Sequence, residues 1–338
     1  MTLSRRDFAA FSLAAPLALG LGTPARALAR SPLVIAAGAA VGDAPAGTRA
    51  AYDLAIGAGA DVITAAVFPT KDGSLVARRG AELSVDTDVA ARPDFAGRRR
   101  SRPGAEGGTP GWWVEDFTLA ELKTLVAVIP GAKRRGPDAG HAILTFEDLM
   151  ATARAGSVRT ARVIGVQARL ADAARYAGLD LAVEPRLAAA IRTAGYNSPA
   201  AAMVVAGEDA EGLRALGELT RVRRVLRLRP GVPAPDPLGA MRGVAEAIAV
   251  DAGRLVDLSQ PKTTPALGLI AEAHAAGLSV QAWTFPEAGE AFPPPPFRPG
   301  DARRLYAALF AAGCDAVAGD LAAPIARGRD DASPRDRG

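Results

Sequence analysis

The chain has 338 residues, 49% of them hydrophobic, and a formal net charge of +4. That composition excludes a disordered polymer. The basic residues are scattered among acids, with no basic helix and no aromatic-interleaved basic stripe, so nucleic acid is not the expected partner. A single cysteine, Cys314, excludes an intramolecular disulfide and a thiolate metal cage, and only two histidines exist, His141 and His274.

Residues 1–29 read as an address. The segment "SRRDF" precedes the apolar run "AAFSLAAPLALGLG", and Ala27-Leu28-Ala29 supplies a small-residue cleavage site. The Arg5-Arg6 pair resembles the twin-arginine signal. The apolar run is short for a membrane span. The expectation is an exported, periplasmic protein with no stable membrane span once the signal is removed; an uncleaved anchor is the alternative.

From residue 30 onward, short apolar runs alternate with Ala/Leu-rich stretches of helical period. The predicted strands are "PLVIAAGAA", "DVITAAVF", "ARVIGVQARL", "AAMVVAG", "VRRVLRL", "RLVDLSQ", "LSVQAWTF" and "DAVAGDL". Helical stretches such as "AGTRAAYDLAIGAGA" and "ALGLIAEAHAAG" lie between most of them, several ending in Gly. Alternation predicts an α/β fold with a parallel sheet covered on both faces. Eight repeats favour a (β/α)8 TIM barrel over residues 30–326, with an insertion after strand 2 at about 70–145. An open doubly wound sheet is the competing arrangement, but no Gly-x-Gly-x-x-Gly turn follows a strand. The insertion opens with a hairpin turning at Lys71-Asp72-Gly73 and contains Trp112-Trp113. A second long connection, "FPEAGEAFPPPPFRPG", follows the seventh strand. Residues 327–338 are expected to be a disordered tail.

The order of these pieces resembles the glycerophosphodiester phosphodiesterase family, in particular its periplasmic branch. The segments that carry the resemblance are "VIAAGAAVGDAPAGTRAAYDLAIGAGADVI", "TKDGSLV", "DFTLAELKTL", "ILTFEDLM", "AGLSVQAWTF" and "CDAVAGDLAAPIAR". The resemblance implies a TIM barrel. It also implies hydrolysis of glycerophosphodiesters by two histidines and a divalent metal held by carboxylates. A phosphodiester is anionic, so a cation must offset the developing charge, and acid–base groups must activate the nucleophile and protonate the leaving alkoxide.

Carried over position by position, the motifs are empty. The family's His-Arg-Gly falls on Ala37-Gly38-Ala39, and its Pro-Glu-Asn-Thr on Pro45-Ala46-Gly47-Thr48. Its Glu-x-Asp falls on Thr64 and Ala66, its hairpin His-Asp on Arg79-Gly80, and its Glu-x-Lys on Gln167 and Arg169. No catalytic residue, metal ligand or cofactor is therefore expected. His274 lies within a helix and His141 in a loop, so neither replaces a motif histidine.

Strand ends on the C-terminal side of a barrel point into the site. They nominate Thr64, Gln167, Arg169, Arg227, Arg229, Asp257, Gln281, Trp283 and Asp320, with Arg79 from the hairpin. The expected ligand-binding set is Arg79, Gln167, Arg169, Trp283 and Asp320, holding a small anionic or phosphorylated ligand without cleaving it. Arg227 and Arg229 either join that set or face the helices and pair with acids there. Two other functions stay open. One is an active phosphodiesterase rebuilt on Asp257, Asp320, Glu115 or Asp116. The other is an interaction scaffold that uses the insertion and the proline-rich loop.

Overall fold

Seven of the eight predicted apolar runs become strands because their neighbours bury both faces. The computed structural model describes residues 32–38, 44–102, 110–129, 141–229, 231–236, 238–256, 267–283 and 301–333. The expected signal peptide, the Pro293–Pro296 stretch, Asp257 and the last five residues lie outside the described residues.

Eight strands close a parallel barrel: β1 (Leu33–Ala36), β2 (Val62–Pro69), β5 (Gly165–Leu170), β6 (Met203–Gly207), β7 (Arg223–Arg227), β8 (Ala247–Asp251), β9 (Ser279–Trp283) and β10 (Ala316–Gly319). Closure runs through the β1–β2 and β1–β10 pairs, Ile35 lying in register with Val62 on one side and Ala318 on the other. Two short strands stand outside the ring. β3 (Leu75–Arg78) runs antiparallel to β2, and β4 (Leu144–Thr145) antiparallel to β3.

The helices are α1 (Arg49–Gly57), α2 (Leu119–Leu122), α3 (Phe146–Thr160), α4 (Ala173–Ala177), α5 (Val183–Thr193), α6 (Ala210–Leu219), α7 (Leu267–Ala275), α8 (Ala302–Ala311) and α9 (Ala322–Ala332). Their starts are written locally. Thr118 with Glu121, and Thr145 with Asp148, form reciprocal capping boxes on α2 and α3. Asp209 accepts from the backbone N–H groups of Glu211 and Gly212 at the start of α6. Among the described residues, no helix is long and apolar enough to cross a membrane.

The core divides by the pleat of the strands. Outward residues such as Ile63, Val67, Val205 and Leu226 pack against the helices with Tyr52, Leu149, Leu213 and Leu305. Inward residues form a separate cluster of smaller side chains, including Val62, Ala206, Val225, Ala247, Ala249, Ala316 and Ala318. β2 is buried along its whole length, as a parallel strand covered on both faces should be.

Two expectations need correction. The sixth barrel strand is Ala247–Asp251, not "RLVDLSQ" at 254–260. Ala247–Asp251 pairs with β7 and with β9, whereas Ala252–Arg254 is a single tight turn capped by the Asp251 carboxylate. Leu255 and Val256 are apolar because they are buried beyond that turn, outside the sheet. The chain is also helical past residue 327, since α9 continues to Ala332 and buries Gly328. The hairpin turn forms as expected: the backbone N–H of Thr70 donates to the Ser74 carbonyl at 2.8 Å, and Gly73 takes φ +80°.

Candidate functional site: the C-terminal mouth of the barrel

Strand alternation places the inward residues in layers. The inward row of β5 runs Gly165, Gln167, Arg169, and that of β2 runs Val62, Thr64, Ala66. In register, Thr64 lies beside Gln167 and Ala66 beside Arg169. The two x-spaced pairs of the resemblance therefore meet on adjacent strands with none of the expected carboxylates. The hydroxyl of Thr64 donates to the carbonyl of Gln167 at 2.9 Å, so it is spent on backbone.

The start of the mouth is filled differently from what a catalytic loop would need. Gly38 has φ +60°, and a Cβ there would lie 2.5 Å from the Tyr52 ring. Tyr52 comes from α1, is fully buried, and donates its hydroxyl to the Thr64 carbonyl at 3.1 Å. Burial pushes its phenol up, against the pull of Arg169 and Arg79. An aromatic ring thus occupies the space beside the position where the resemblance puts an arginine.

Around this floor stand four guanidinium groups. Arg79, just past β3, pairs with both carboxylate oxygens of Asp320, at 2.7 and 3.4 Å. Burial works against its charge, but Asp320 outweighs that and holds Arg79 above its usual value. Arg227 and Arg229 share the Glu208 carboxylate at 3.2 and 3.3 Å. They meet this acid at the mouth rather than on a helix. Arg169 is pushed down to about 10, first by burial and then by the like charges of Arg227 and Arg79. It remains charged at neutral pH and sits in repulsion with its neighbours. Arg169, Arg227 and Arg229 line one cavity of about 570 Å³ together with Glu208, Asp209 and Asp172. All three acids are already engaged: Glu208 by Arg227 and Arg229, Asp209 as the cap of α6, and Asp172 by Arg102.

The predicted binding set separates into levels. Arg79, Arg169 and Asp320 stand at the mouth. Trp283 is buried there, and Arg227 covers its ring with the guanidinium carbon 4.0 Å from the centroid. One face of the indole is therefore taken by the chain itself. Gln167 is buried one layer lower, and lines a cavity at the opposite end of the barrel instead of the mouth cavity. Glu208 and Tyr52 were missed by sequence reasoning. Glu208 follows β6 directly, so the strand-end rule could have found it. Tyr52 carries no such signal, because it reads as one apolar residue on a helix face.

The acids named for a rebuilt site are committed elsewhere. Glu115 is buried and accepts from Arg100 at 3.3 Å, Arg175 at 3.1 Å and the Tyr176 hydroxyl at 3.4 Å, with Arg102 at 3.8 Å. Asp116 is held by Arg100 at 2.8 and 2.9 Å. Asp257 lies outside the described residues. Among the described residues, no three His, Cys, Asp or Glu side chains gather where they could hold one metal ion. A hard divalent cation wants several oxygen ligands. Thr64, Ala66 and Gln167 do not offer them, so these positions do not fit the metal that the resemblance implies. His274 is far from the question, bonded to Asp315 at 2.9 Å just before β10, at the other end of the barrel. The backbone carbonyl of His141 bonds Ala127 within the insertion. Trp112 and Trp113 are buried, their indoles donating to the carbonyls of Phe95 and Arg100. They present no exposed apolar patch for a partner.

Comparison with known proteins agrees with this architecture. The model of the Glycerophosphoryl diester phosphodiesterase family matches residues 39–322, and the chain belongs to that family. A glycerophosphodiester phosphodiesterase of Arabidopsis thaliana is 35% identical over 131 residues, covering 37% of this chain and 33% of its own length. The chain spans about a third of the length of the curated relatives it matches. Among solved structures, a glycerophosphodiester phosphodiesterase from Agrobacterium tumefaciens superposes with a TM-score of 0.56 at 18% identity, over 88% of this chain and 99% of its own. A phosphodiesterase from Oleispira antarctica, solved with the product sn-glycerol-3-phosphate, superposes with a TM-score of 0.59 at 18% identity, over 89% and 97%. These structural likenesses are of fold.

Proposed function

We propose that this chain is a non-catalytic member of its family, exported on a twin-arginine signal, whose barrel mouth binds a small phosphorylated or otherwise anionic ligand. It does so without a metal or other cofactor. The observation that carries the reading is the exchange at the mouth: Thr64, Ala66 and Gln167 stand where carboxylates are expected, and Arg79, Arg169, Arg227 and Arg229 crowd the rim. Arginine grips phosphate through parallel hydrogen bonds and needs no cation to do so. Arg169 lies among like charges, so an incoming anion gains from relieving that repulsion. Asp320 and Glu208 hold Arg79, Arg227 and Arg229 in place until the ligand arrives. The sn-glycerol-3-phosphate bound by the Oleispira antarctica protein makes the same compound the first ligand to try here.

Two measurements test the reading together. Hydrolysis of glycerophosphocholine is assayed with Ca²⁺ or Mg²⁺ and again with chelator, and binding of sn-glycerol-3-phosphate is followed by calorimetry. The expected result is no turnover above background, and saturable binding that Arg169→Met weakens by about tenfold, the loss of one charged hydrogen-bonded contact. Chelator-sensitive turnover at an ordinary enzymatic rate would sink the non-catalytic reading. Absence of any phosphate binding would sink the ligand.

A further inference from the structure

The opposite end of the barrel holds a second cavity, of about 450 Å³, whose existence follows from the inner face. A barrel of this type normally fills its interior with bulky branched residues. Here the inward positions near the N-terminal ends of β5, β8, β9 and β10 are Gly165, Ala247, Ser279 and Ala316, and space is left between them. The cavity is independent of the mouth. Val225 and Gln281 line it, and the next inward residues on the same strands, Arg227 and Trp283, stack on each other above it.

Several buried polar atoms of residues lining this cavity have no protein partner. Gln167 is 4% exposed and Gln281 9% exposed, and the side-chain carbonyl oxygen of each is buried with no hydrogen bond. The Nε of Arg223, which also lines the cavity, is likewise buried without a partner. An unsatisfied buried amide oxygen costs about 1–3 kcal/mol, and two in one cavity are unusual unless something fills it. The acids at the opening do not serve. Glu246 accepts from the backbone and guanidinium of Arg224 at 2.6 and 3.1 Å. Asp315 accepts from the Val280 backbone at 2.7 Å and meets His274. Apart from Ser279, the remaining walls are apolar, with Ile35 and Phe310 among them.

We propose that this cavity is a second binding site, for a small hydroxylated organic acid with a compact apolar body. Its carboxylate meets Arg223 near the opening, its hydroxyl donates to Gln281 or Gln167, and its hydrocarbon part packs on Ile35 and Val225. A cavity of this volume, mostly apolar with a few convergent polar groups, is the usual form of a small-molecule site.

The test uses 2-hydroxy-3-methylbutanoate and its deoxy analogue 3-methylbutanoate, titrated into the purified chain and followed by saturation-transfer NMR. The hydroxy acid is expected to saturate and to bind at least fivefold more tightly than the deoxy acid. Gln281→Leu, or Gln167→Leu if the first does not fold, is expected to remove that preference. Arg223→Met is expected to remove binding of both acids, measured with excess sn-glycerol-3-phosphate present to occupy the mouth. The proposal is overturned if neither acid saturates up to the order of 10 mM, the range of affinities weaker than any useful site. It is equally overturned if Arg169→Met abolishes binding while Arg223→Met does not, or if a crystal grown with the hydroxy acid shows only ordered water in the cavity.

Discussion

The insertion and the barrel mouth use the same side chains to opposite ends. In the insertion, Glu115 sits in the middle of Arg100, Arg102 and Arg175, with Tyr176 donating as well. One buried acid there is the hub of several cations, and Asp116 and Asp172 share the same arginines. At the mouth the arginines ring a cavity, and Arg169 is held among its like-charged neighbours. The first arrangement is closed, because its hydrogen-bonding capacity is used internally. The second is open, because its cations are gathered around space. Arginine content alone does not distinguish them; the position of the acid does.

The largest expected effect tests whether the insertion cluster is closed in this sense. Glu115→Ala removes a carboxylate whose side chain is 2% exposed and leaves Arg102, itself 6% exposed, without its central acid. Breaking a buried ion pair from one side typically costs about 3–5 kcal/mol. Urea unfolding should show a loss in that range. A loss under about 1 kcal/mol would mean that Asp172 and Asp116 suffice, and the contrast with the mouth would lose its basis.

Next in size is the packing that shapes the mouth. Gly38→Ala puts a side chain at φ +60° and against the Tyr52 ring. The left-handed conformation costs about 1–2 kcal/mol, and the overlap adds to it. We expect a drop of about 2–3 kcal/mol in stability, part of it recovered when Tyr52→Leu is made in the same chain. Strict additivity of the two changes would show that they do not touch, contrary to the structure. The same contact explains why an arginine put back at position 38 should not restore a catalytic loop.

The barrel was legible in the sequence because its signals are local and repeated. Alternating strands and helices, the Lys71-Asp72-Gly73 turn and the Thr145 cap all follow from spacing and residue type. The sixth strand was misplaced because "RLVDL" and "EAIAVD" are equally apolar, and only pairing with β7 and β9 decides between them. The emptied motifs were also legible, since they are absences at fixed positions. The partners were not. That Glu208 would anchor both Arg227 and Arg229, and that Trp283 would lie under Arg227, depend on contacts between strands far apart in the chain. Gln167 and Arg169 are two residues apart and share a face, so the sequence put them in one site; depth along the barrel assigns them to two cavities.

A smaller effect bears on the open arrangement. If Arg169 mainly serves a ligand, Arg169→Met should change stability by no more than about 1 kcal/mol in either direction, since the contacts it loses are offset by relief of the burial cost and of the repulsion from Arg227 and Arg79. Thermal unfolding without phosphate measures this. A loss as large as that of Glu115→Ala would place Arg169 in the structural class and make the mouth another closed cluster.

The smallest expected effect is a pH dependence, and it returns to the insertion. Glu121 is held down to about 2, chiefly by its hydrogen bonds with Arg98 and then by the Thr118 backbone N–H of its capping box. Its ordinary value is 4.5. A carboxylate whose folded value is depressed binds fewer protons folded than unfolded, so its stabilisation is complete above the unfolded value and is lost as pH falls towards the folded one. The wild-type advantage over Glu121→Gln should therefore be present at pH 6 and shrink steadily from about pH 5 towards pH 2. The carboxylate is partly exposed, so solvent screening keeps the advantage small. Paired urea titrations of the two chains at the two ends of that window measure it. An equal difference at both ends would mean that Arg98 holds Glu121 by geometry alone, and that the insertion's ion pairs contribute packing rather than charge.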